Sequence, residues 1–229
     1  MYNLNQNTKF KQNRGTGSGA NYLPWITTHE FASSGTTANP IDWRTGRTVH
    51  LLSQGELIAW LILNFDDETY EVKEQYPLDI SETLKIAEDL GINHPMSKGE
   101  PFVMTTDFLV EKMDGTMLAV SIKCSENKLD NSKTQQKNSL IEKEYWEQQG
   151  IKYEIWFKNK LNKVLANNID AVTQYYKIDE KYPDEFKVLK HLVAVKKIKI
   201  DMNKKIDYVK EVSIHRKEIN EWMIQNNYI

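Results

Sequence analysis

Two apolar segments of strand length, joined by a short turn, are the feature that most constrains the fold. Residues 103–110 and 117–123 flank an Asp-Gly dipeptide at positions 114 and 115. This dipeptide between two apolar segments is typical of an antiparallel pair of strands. Asp107 lies in the first segment, and Lys123 ends the second. The pattern therefore predicts that a carboxylate and an amine face one pocket from neighbouring strands.

A further carboxylate, Glu56, lies at the predicted start of a helix. Residues 53–56, Ser-Gln-Gly-Glu, match a capping box, and the apolar residues after them predict a mostly buried helix to about Asn64. Glu56 could simply cap this helix, because a carboxylate is favoured beside the positive end of the helix dipole. It could equally join Asp107 and Lys123 in a metal site. Mg²⁺ binds oxygen ligands and can activate water for phosphodiester hydrolysis, while a lysine neutralises the developing charge.

Composition limits the class of protein. The chain has 229 residues, 40% of them hydrophobic and 27% charged, which is typical of a soluble globular protein with one large domain or two small ones. The single cysteine, Cys124, excludes an intrachain disulfide and a cysteine-based zinc cluster. The sequence has no signal-peptide core and no apolar stretch of membrane-spanning length, so we expect a cytoplasmic protein. The formal net charge of −2 gives no global reason to bind nucleic acid, and DNA contact would depend on local patches or partner proteins.

Sequence patterns predict three regions. Residues 1–20 are polar and glycine-rich and are expected to form a flexible N-terminal arm. The order of helical and strand patterns over residues 21–158 predicts an α/β domain with a mixed central sheet flanked by helices in three layers. Its predicted helices are residues 53–64, 81–90 (with Ser81 as N-cap) and 131–149, and its predicted strands are residues 69–77, 103–110, 117–123 and 151–157.

Residues 159–229 predict a small helical C-terminal domain. Apolar residues recur at helical spacing from 161 to 176, after Pro183 and from 206 to 226, where Ser213 could cap a second helix. We expect a helix-turn-helix or winged-helix-like arrangement. Lysines are concentrated in this region, which favours contact with DNA or a partner, or simply a solvated lysine face. The sequence leaves both interpretations open.

The chain also carries a series of separate motifs, at residues 22–25, 45–53, 74–78, 94–95, 106–110 and 144–146. In this order they resemble the TnsA family, the endonuclease subunits of heteromeric bacterial cut-and-paste transposases. The resemblance covers residues 14–157 well and the helical region only in outline. It implies a restriction-endonuclease-like core followed by a winged-helix-like domain.

The resemblance implies a Mg²⁺-dependent endonuclease, with Mn²⁺ as a substitute metal, that cleaves the 5′ ends of a transposon. The expected partners are transposon-end DNA, a TnsB-like DDE transposase subunit and a TnsC-like ATPase regulator. No membrane partner is expected. Four residues correspond to catalytic positions of the family: Glu56, Asp107, Lys123 and Glu142.

The metal ligands implied by the resemblance are Glu56, Asp107, the backbone carbonyl of Ile122 and Ser121. Ser121 departs from the family, which usually has glutamine at this position. Its shorter hydroxyl would hold a metal only through water. This departure leaves open an alternative function, a non-catalytic assembly factor that tethers the transposase and the ATPase. A restriction or repair nuclease with the same core is a third possibility, and the series of motifs favours TnsA over it.

Overall fold

A four-stranded mixed sheet forms the centre of the structure, a computed structural model that describes residues 5–30, 36–97 and 99–228. The strands in these ranges are β1 Thr69–Pro77, β2 Met96–Ser97, β3 Glu100–Pro101, β4 Thr105–Lys112, β5 Met117–Lys123 and β6 Lys152–Phe157. The helices are α1 Gln6–Lys11, α2 Gln54–Phe65, α3 Ile80–Asp89, α4 Glu126–Asp130, α5 Lys133–Gln148, α6 Lys163–Thr173, α7 Glu185–Ala194, α8 Tyr208–Ile214 and α9 Arg216–Gln225. The central sheet has the strand order β1-β4-β5-β6, and β2 pairs with β3 separately.

The predicted antiparallel pair around the Asp-Gly turn is confirmed. It consists of β4 and β5, in which Phe108 lies opposite Val120. β1 is antiparallel to β4, whereas β6 is parallel to β5. Parallel neighbours require a crossover connection, and α5 forms it between β5 and β6. The mixed α/β sheet flanked by helices is therefore as predicted.

Helices pack on both faces of the sheet. α3 and α5 cover one face through a cluster of buried side chains that comprises Leu78, Ile86, Ala87, Met104, Leu109, Ala119, Ile141, Tyr145 and Trp146. α2 contacts β1, β4 and β5. Successive strand residues point to opposite faces. Because Ser121 bonds to α5, the next residue, Ile122, points to the α2 face, where its side chain lies close to Gly55.

Residues 5–20 are packed against the sheet, where the sequence analysis expects a flexible arm. The side chain of Lys9 in α1 is buried beside Glu30, with 3.7 Å between its Nζ and a carboxylate oxygen. Arg14 donates a hydrogen bond to the same carboxylate. Glycine and polar content suggested flexibility, but these ion pairs hold the segment to Glu30, and Ser18 and Gly19 donate hydrogen bonds to Glu71 of β1. Residues 1–4 lie outside the described ranges.

The N-terminal segment also protects the edge of the sheet. β1 is an edge strand, and unpaired backbone groups at a sheet edge favour aggregation unless they are covered. The N–H of Trp25 donates to the carbonyl of Gln75 at 3.2 Å, and the Tyr22 hydroxyl donates to the carbonyl of Glu74 at 2.8 Å. Both acceptors belong to β1, so residues 22–25, which follow this segment, cover the strand at Gln75, the residue whose side chain donates to Glu56.

A buried ion pair fixes the chain just before α2. The side chain of Glu74 is completely buried, and both of its oxygens accept hydrogen bonds from the Arg47 guanidinium, at 2.6 and 2.7 Å. The N–H of His50 donates to the same carboxylate at 3.0 Å. A bidentate pair of this kind sets position and orientation together. It therefore holds the residues that lead into α2 against β1.

The predicted N-cap of the second helix is wrong. Ser81 is not the N-cap of α3, because Asp79 accepts hydrogen bonds from the N–H groups of Ser81 and Glu82 at 2.8 and 3.1 Å. Both residue types are good N-caps, so the path of the preceding chain decides between them. The helix predicted from about residue 131 to residue 149 is confirmed as α5, which Ser132 caps through the N–H of Gln135; the short helix α4 before it was not predicted.

The chain divides into two compact units: Met1–Ile41 with Arg47–Leu161, and Asp42–Gly46 with Asn162–Ile229. Helices α6 to α9 form the ordered elements in the described part of the second unit, and their buried apolar side chains include Ile169, Val172, Leu189, Leu192 and Ile219. Ser213 is not an internal N-cap, because its hydroxyl donates to the carbonyl of Val209 within α8. α9 begins only after His215. The domain boundaries given above and the helix-turn-helix arrangement stay predictions. Every helix in the described ranges is too short or too polar to span a bilayer.

Candidate active site

Asp107 lies where two strands of the sheet part. The β4–β5 ladder is regular from Glu111 opposite Met117 to Phe108 opposite Val120. Beyond Val120, the N–H of Ile122 donates to the Asp107 carboxylate at 2.6 Å. A side-chain oxygen of Asp107 in β4 thus takes the place of a backbone carbonyl as the acceptor for the Ile122 N–H of β5. This bond places the carboxylate of Asp107 beside the end of β5, the strand that carries Lys123.

Glu56 enters the same region from the first turn of α2. Its side chain is 6% exposed and accepts hydrogen bonds from the N–H of Leu52 at 2.8 Å and from the Ser53 hydroxyl at 2.9 Å. The Ser53 hydroxyl also accepts from the N–H of Glu56 at 3.2 Å. The helix-capping role is therefore confirmed. It leaves the second alternative open, because the carboxylate also interacts with groups on the sheet.

One of these groups is Gln75 of β1, which the sequence analysis did not identify as a site residue. Its amide Nε2 donates to the Glu56 carboxylate at 3.1 Å, and its side chain is 2% exposed. Burial raises the pKa of Asp107, and a hydrogen bond from the same Gln75 side chain partly offsets this rise. Gln75 thus lies between the two carboxylates. Its position within the motif at residues 74–78 could have indicated a role at the site. A single glutamine in a strand, however, is not part of any sequence pattern that predicts a functional residue.

The two carboxyl groups interact electrostatically. Burial and, second to it, the negative charge of Asp107 raise the pKa of Glu56 to about 8. Burial also raises the pKa of Asp107, while the positive charge of Lys123 opposes this effect. Residues 56, 107 and 123, on α2, β4 and β5, are therefore brought within electrostatic range of one another.

Glu142 of α5 lies on the same side of the sheet as Ser121. The Ser121 hydroxyl donates to one of its carboxylate oxygens at 2.7 Å, and the Tyr153 hydroxyl donates to the other at 3.1 Å. Burial raises the pKa of Glu142, and the charge of Lys123 opposes this rise. Tyr153 is a second residue that the sequence analysis missed, since it was seen only as part of an alternating strand.

The other predicted metal ligands, Ser121 and Ile122, make different contacts in the structure. Ser121 is 1% exposed and its hydroxyl is oriented by Glu142, while the backbone of Ile122 meets Asp107 through its N–H. The ligand roles of the Ser121 hydroxyl and the Ile122 carbonyl stay predictions. Lys123 ends β5 opposite Phe157 of β6. Its catalytic role also stays a prediction.

The donor chemistry at Glu56 and Asp107 fits a hard divalent cation. Burial raises the pKa of both carboxyl groups, the charge of Asp107 adds to the rise at Glu56, and a cation would compensate the two negative charges. Mg²⁺ is commonly held by one or two carboxylates and keeps several waters. Among the described residues, no group of three or more His, Cys, Asp or Glu side chains is arranged to hold a metal. A two-carboxylate site suits Mg²⁺ better than a closed site of protein ligands.

Comparison with known proteins gives two findings. Residues 66–157 match the family model described as TnsA-like endonuclease N terminal. The transposon Tn7 transposition protein TnsA of Escherichia coli is 38% identical over 164 residues, which cover 71% of this chain and 59% of that protein. The chain thus matches rather less than two thirds of the length of this relative. The family-model segment includes Asp107, Lys123 and Glu142, whereas Glu56 precedes it. On this evidence the chain belongs to the TnsA family.

Proposed function

We propose that this protein is the DNA-cleaving subunit of a heteromeric transposase, a metal-dependent endonuclease with a restriction-endonuclease-like core. One observation carries the proposal. Glu56 and Asp107, which are far apart in the sequence, meet at Gln75: its amide donates to Glu56, and its place in β1 is opposite Asp107. Burial and, second to it, the charge of Asp107 raise the pKa of Glu56, while the charge of Lys123 opposes the rise that burial causes in the pKa of Asp107. Two carboxylates and an ammonium group are the components that hydrolysis of a phosphodiester requires.

Each residue has a definite role in this proposal. A bound Mg²⁺ ion, or Mn²⁺ in its place, would supply an activated water and stabilise negative charge on the phosphate oxygens. Glu56 and Asp107 would hold the ion, with the Ile122 carbonyl as a further ligand and Ser121 contributing through water. Lys123 would neutralise charge on the phosphate or orient the attacking water.

Glu142 supports Lys123 in this account. Burial raises the pKa of Glu142 and the charge of Lys123 opposes this rise, so the two groups attract each other when both are charged. Hydrogen bonds from Ser121 and Tyr153 hold both oxygens of Glu142. We infer that Glu142 restrains the lysine from the α5 side, so that its ammonium group stays near the carboxylate pair.

The proposed substrate is transposon-end DNA, cleaved at the 5′ ends during cut-and-paste transposition in the cytoplasm. The proposed partners are a TnsB-like DDE transposase subunit and a TnsC-like ATPase regulator. The protein named as the relative is a transposition protein, which supports a role in such a complex. The formal net charge of −2 also suits a subunit that receives its DNA from partners, since autonomous binders gain most affinity from neutralising phosphates.

The test is strand-specific nicking of transposon-end DNA in the presence of the partner proteins and Mg²⁺. We expect Asp107→Asn to lose nicking by at least about 100-fold, because one of two metal-binding carboxylates is lost. Asp114→Asn is the matched control, since this aspartate only caps an exposed turn through Thr116. Nicking by Asp107→Asn at the wild-type rate would refute the assignment.

The structure also gives a reason to consider a second function, a non-catalytic assembly factor. The hydroxyl of Ser121, where the resemblance expects glutamine, is directed to Glu142. On this view the metal site is decayed, and the protein only tethers the transposase and the ATPase. A transposition assay with Lys123→Ala separates the two functions. Normally excised products would favour the assembly factor, and loss of 5′ cleavage would favour the nuclease.

A further inference from the structure

Gln75 stands directly opposite Asp107 in the pairing of β1 with β4. The neighbouring residues pair on both sides: Glu74 lies opposite Phe108, and Tyr76 lies opposite Thr106. The same register places Gln75 opposite Asp107, although these two residues do not form a regular ladder pair. An amide side chain on the edge strand is therefore adjacent to the carboxylate on the inner strand. The position also faces Glu56, because the amide Nε2 donates to the Glu56 carboxylate.

The backbone of Gln75 is unusual for its residue type. Its φ of 49° lies in the left-handed region, which residues other than glycine rarely adopt. Such a conformation is strained and persists only where the surroundings enforce it. Here the Trp25 N–H donates to the Gln75 carbonyl, and the Thr105 hydroxyl lies 3.4 Å from the side-chain carbonyl. The fold thus holds a glutamine at a site that would suit glycine better.

The chemistry of a primary amide explains what glutamine offers at this position. Its nitrogen carries two N–H donors, so it can donate to two acceptors at once. Glu56 receives one such bond at 3.1 Å, and the register of β1 with β4 places the same side chain opposite Asp107, the second acceptor within its reach. A neutral double donor between two like charges reduces their repulsion without adding a competing cation. A lysine there would neutralise the pair and oppose metal binding.

We propose that Gln75 is a positioning residue that sets the spacing of Glu56 and Asp107 for a divalent cation. This inference rests on the proposed function, because it requires that the two carboxylates bind a metal. The alternative is a buried glutamine that only stabilises the contact between β1 and the N-terminal segment. The two roles differ in one measurable respect: positioning affects metal affinity, whereas a purely structural role affects only stability.

The experiment measures Mn²⁺ binding by isothermal titration calorimetry and thermal unfolding of the metal-free protein, for the full chain and its variants. Gln75→Met keeps the side-chain volume but removes both N–H donors. Gln75→Gly removes the side chain and relieves the left-handed backbone, so a folded protein is available even if the methionine variant misfolds. Glu56→Gln tests the metal site itself. Gln149→Met is the matched control, because Gln149 also donates to a glutamate, Glu82, but does so at the surface.

We expect both Gln75 variants to bind Mn²⁺ about 10-fold to 100-fold more weakly than the wild type, the range typical of outer-shell partners of metal ligands. Gln149→Met should bind Mn²⁺ as the wild type does, and Glu56→Gln should lose binding. If Glu56→Gln loses binding but the Gln75 variants bind within about twofold of wild type, Gln75 has only a structural role and the inference is overturned. If Glu56→Gln itself binds normally, the proposed function fails, and the inference fails with it.

Discussion

At the scale of single residues, the candidate site concentrates buried carboxyl groups that folding by itself disfavours. Burial raises the pKa of Glu56, Asp107 and Glu142, so each group resists ionisation in the metal-free fold. Perturbed titration of this kind is characteristic of functional sites, although buried ion networks can also produce it. The free energy of unfolding is therefore lower at pH values at which the unfolded chain ionises these groups and the fold keeps them protonated.

This consequence can be measured for Glu56. Its pKa rises from an ordinary 4.5 to about 8, so the folded metal-free protein keeps a proton that the unfolded chain releases between these values. The free energy of unfolding should therefore fall as pH rises through this window, by up to about 1.4 kcal/mol per pH unit from this group, and level off above it. Urea unfolding in EDTA at pH 5, 6, 7 and 8 measures the slope.

In Glu56→Gln the slope should be clearly smaller, although not zero, because Asp107 and Glu142 contribute in the same direction. Glu147→Gln serves as the control, since Glu147 pairs with Lys143 at the surface. Equal slopes for the wild type and Glu56→Gln would contradict the raised pKa.

The sequence identified the residues with recognisable chemistry but not those that hold them. Glu56 was assigned two possible roles, and the structure confirms the cap while also placing the side chain against the sheet. Gln75 and Tyr153 were missed because each is an ordinary strand residue by pattern. Their importance comes from long-range contacts, with Glu56 and Glu142, that no local periodicity encodes.

At the scale of elements, the start of α2 approaches the sheet closely at Gly55. A Cβ added to Gly55 would lie 3.0 Å from the Cγ2 atom of Ile122 and 3.3 Å from the Cβ atom of Lys158. Glycine therefore permits the contact that brings the next residue, Glu56, to the site. Glycine is needed at position 55 because a larger side chain would collide with Ile122 and Lys158, rather than because the backbone adopts a conformation that favours glycine.

Gly55→Val should destabilise the protein by about 1–3 kcal/mol and displace the first turn of α2, because overpacking forces side chains and backbone to shift. Mn²⁺ binding should weaken along with stability, since Glu56 moves with the turn. Chemical denaturation and calorimetry on the same preparation measure both. Gln54→Val introduces the same side chain one residue earlier and should have a much smaller effect. Equal effects of the two variants would argue against the close approach.

The chain before α2 depends on the buried pair of Arg47 and Glu74. Arg47→Met leaves the completely buried Glu74 carboxylate without its cation, and breaking such a pair usually costs about 3–5 kcal/mol. Lys143→Met, which breaks an exposed pair with Glu147, should cost less than about 1 kcal/mol. Denaturant unfolding at neutral pH compares the two. A similar small loss for both variants would show that the pair contributes little.

Helices and strands were predicted correctly where the turn residues, capping residues and apolar pattern of a segment all indicate the same structure. The Asp-Gly turn and its flanking apolar segments correctly gave β4 and β5, and the capping sequence gave the start of α2. The errors fall where two good caps compete, as with Asp79 and Ser81, or where a polar segment forms a short helix, as in α4. The folded N-terminal segment was missed because hydrogen bonds to distant residues, Glu71 and Pro101, hold it and no local pattern encodes them.

At the scale of the whole molecule, the net charge of −2 sets an expectation for DNA binding. The purified chain alone should bind duplex DNA weakly, with a dissociation constant above about 1 µM at physiological salt, because few phosphates can be neutralised. Fluorescence anisotropy with transposon-end and unrelated duplexes at several salt concentrations measures this. Nanomolar binding to the end sequence by the chain alone would contradict a subunit that depends on partners.

The central claim is that two carboxylates, on α2 and β4, bind one divalent cation beside Lys123. Anomalous X-ray diffraction from crystals of the protein soaked in Mn²⁺ tests it most directly. The account predicts one Mn²⁺ peak between Glu56 and Asp107, at roughly 2.1 Å from an oxygen of each. A peak that contacts neither carboxylate, or no peak between them at saturating Mn²⁺, would contradict the account.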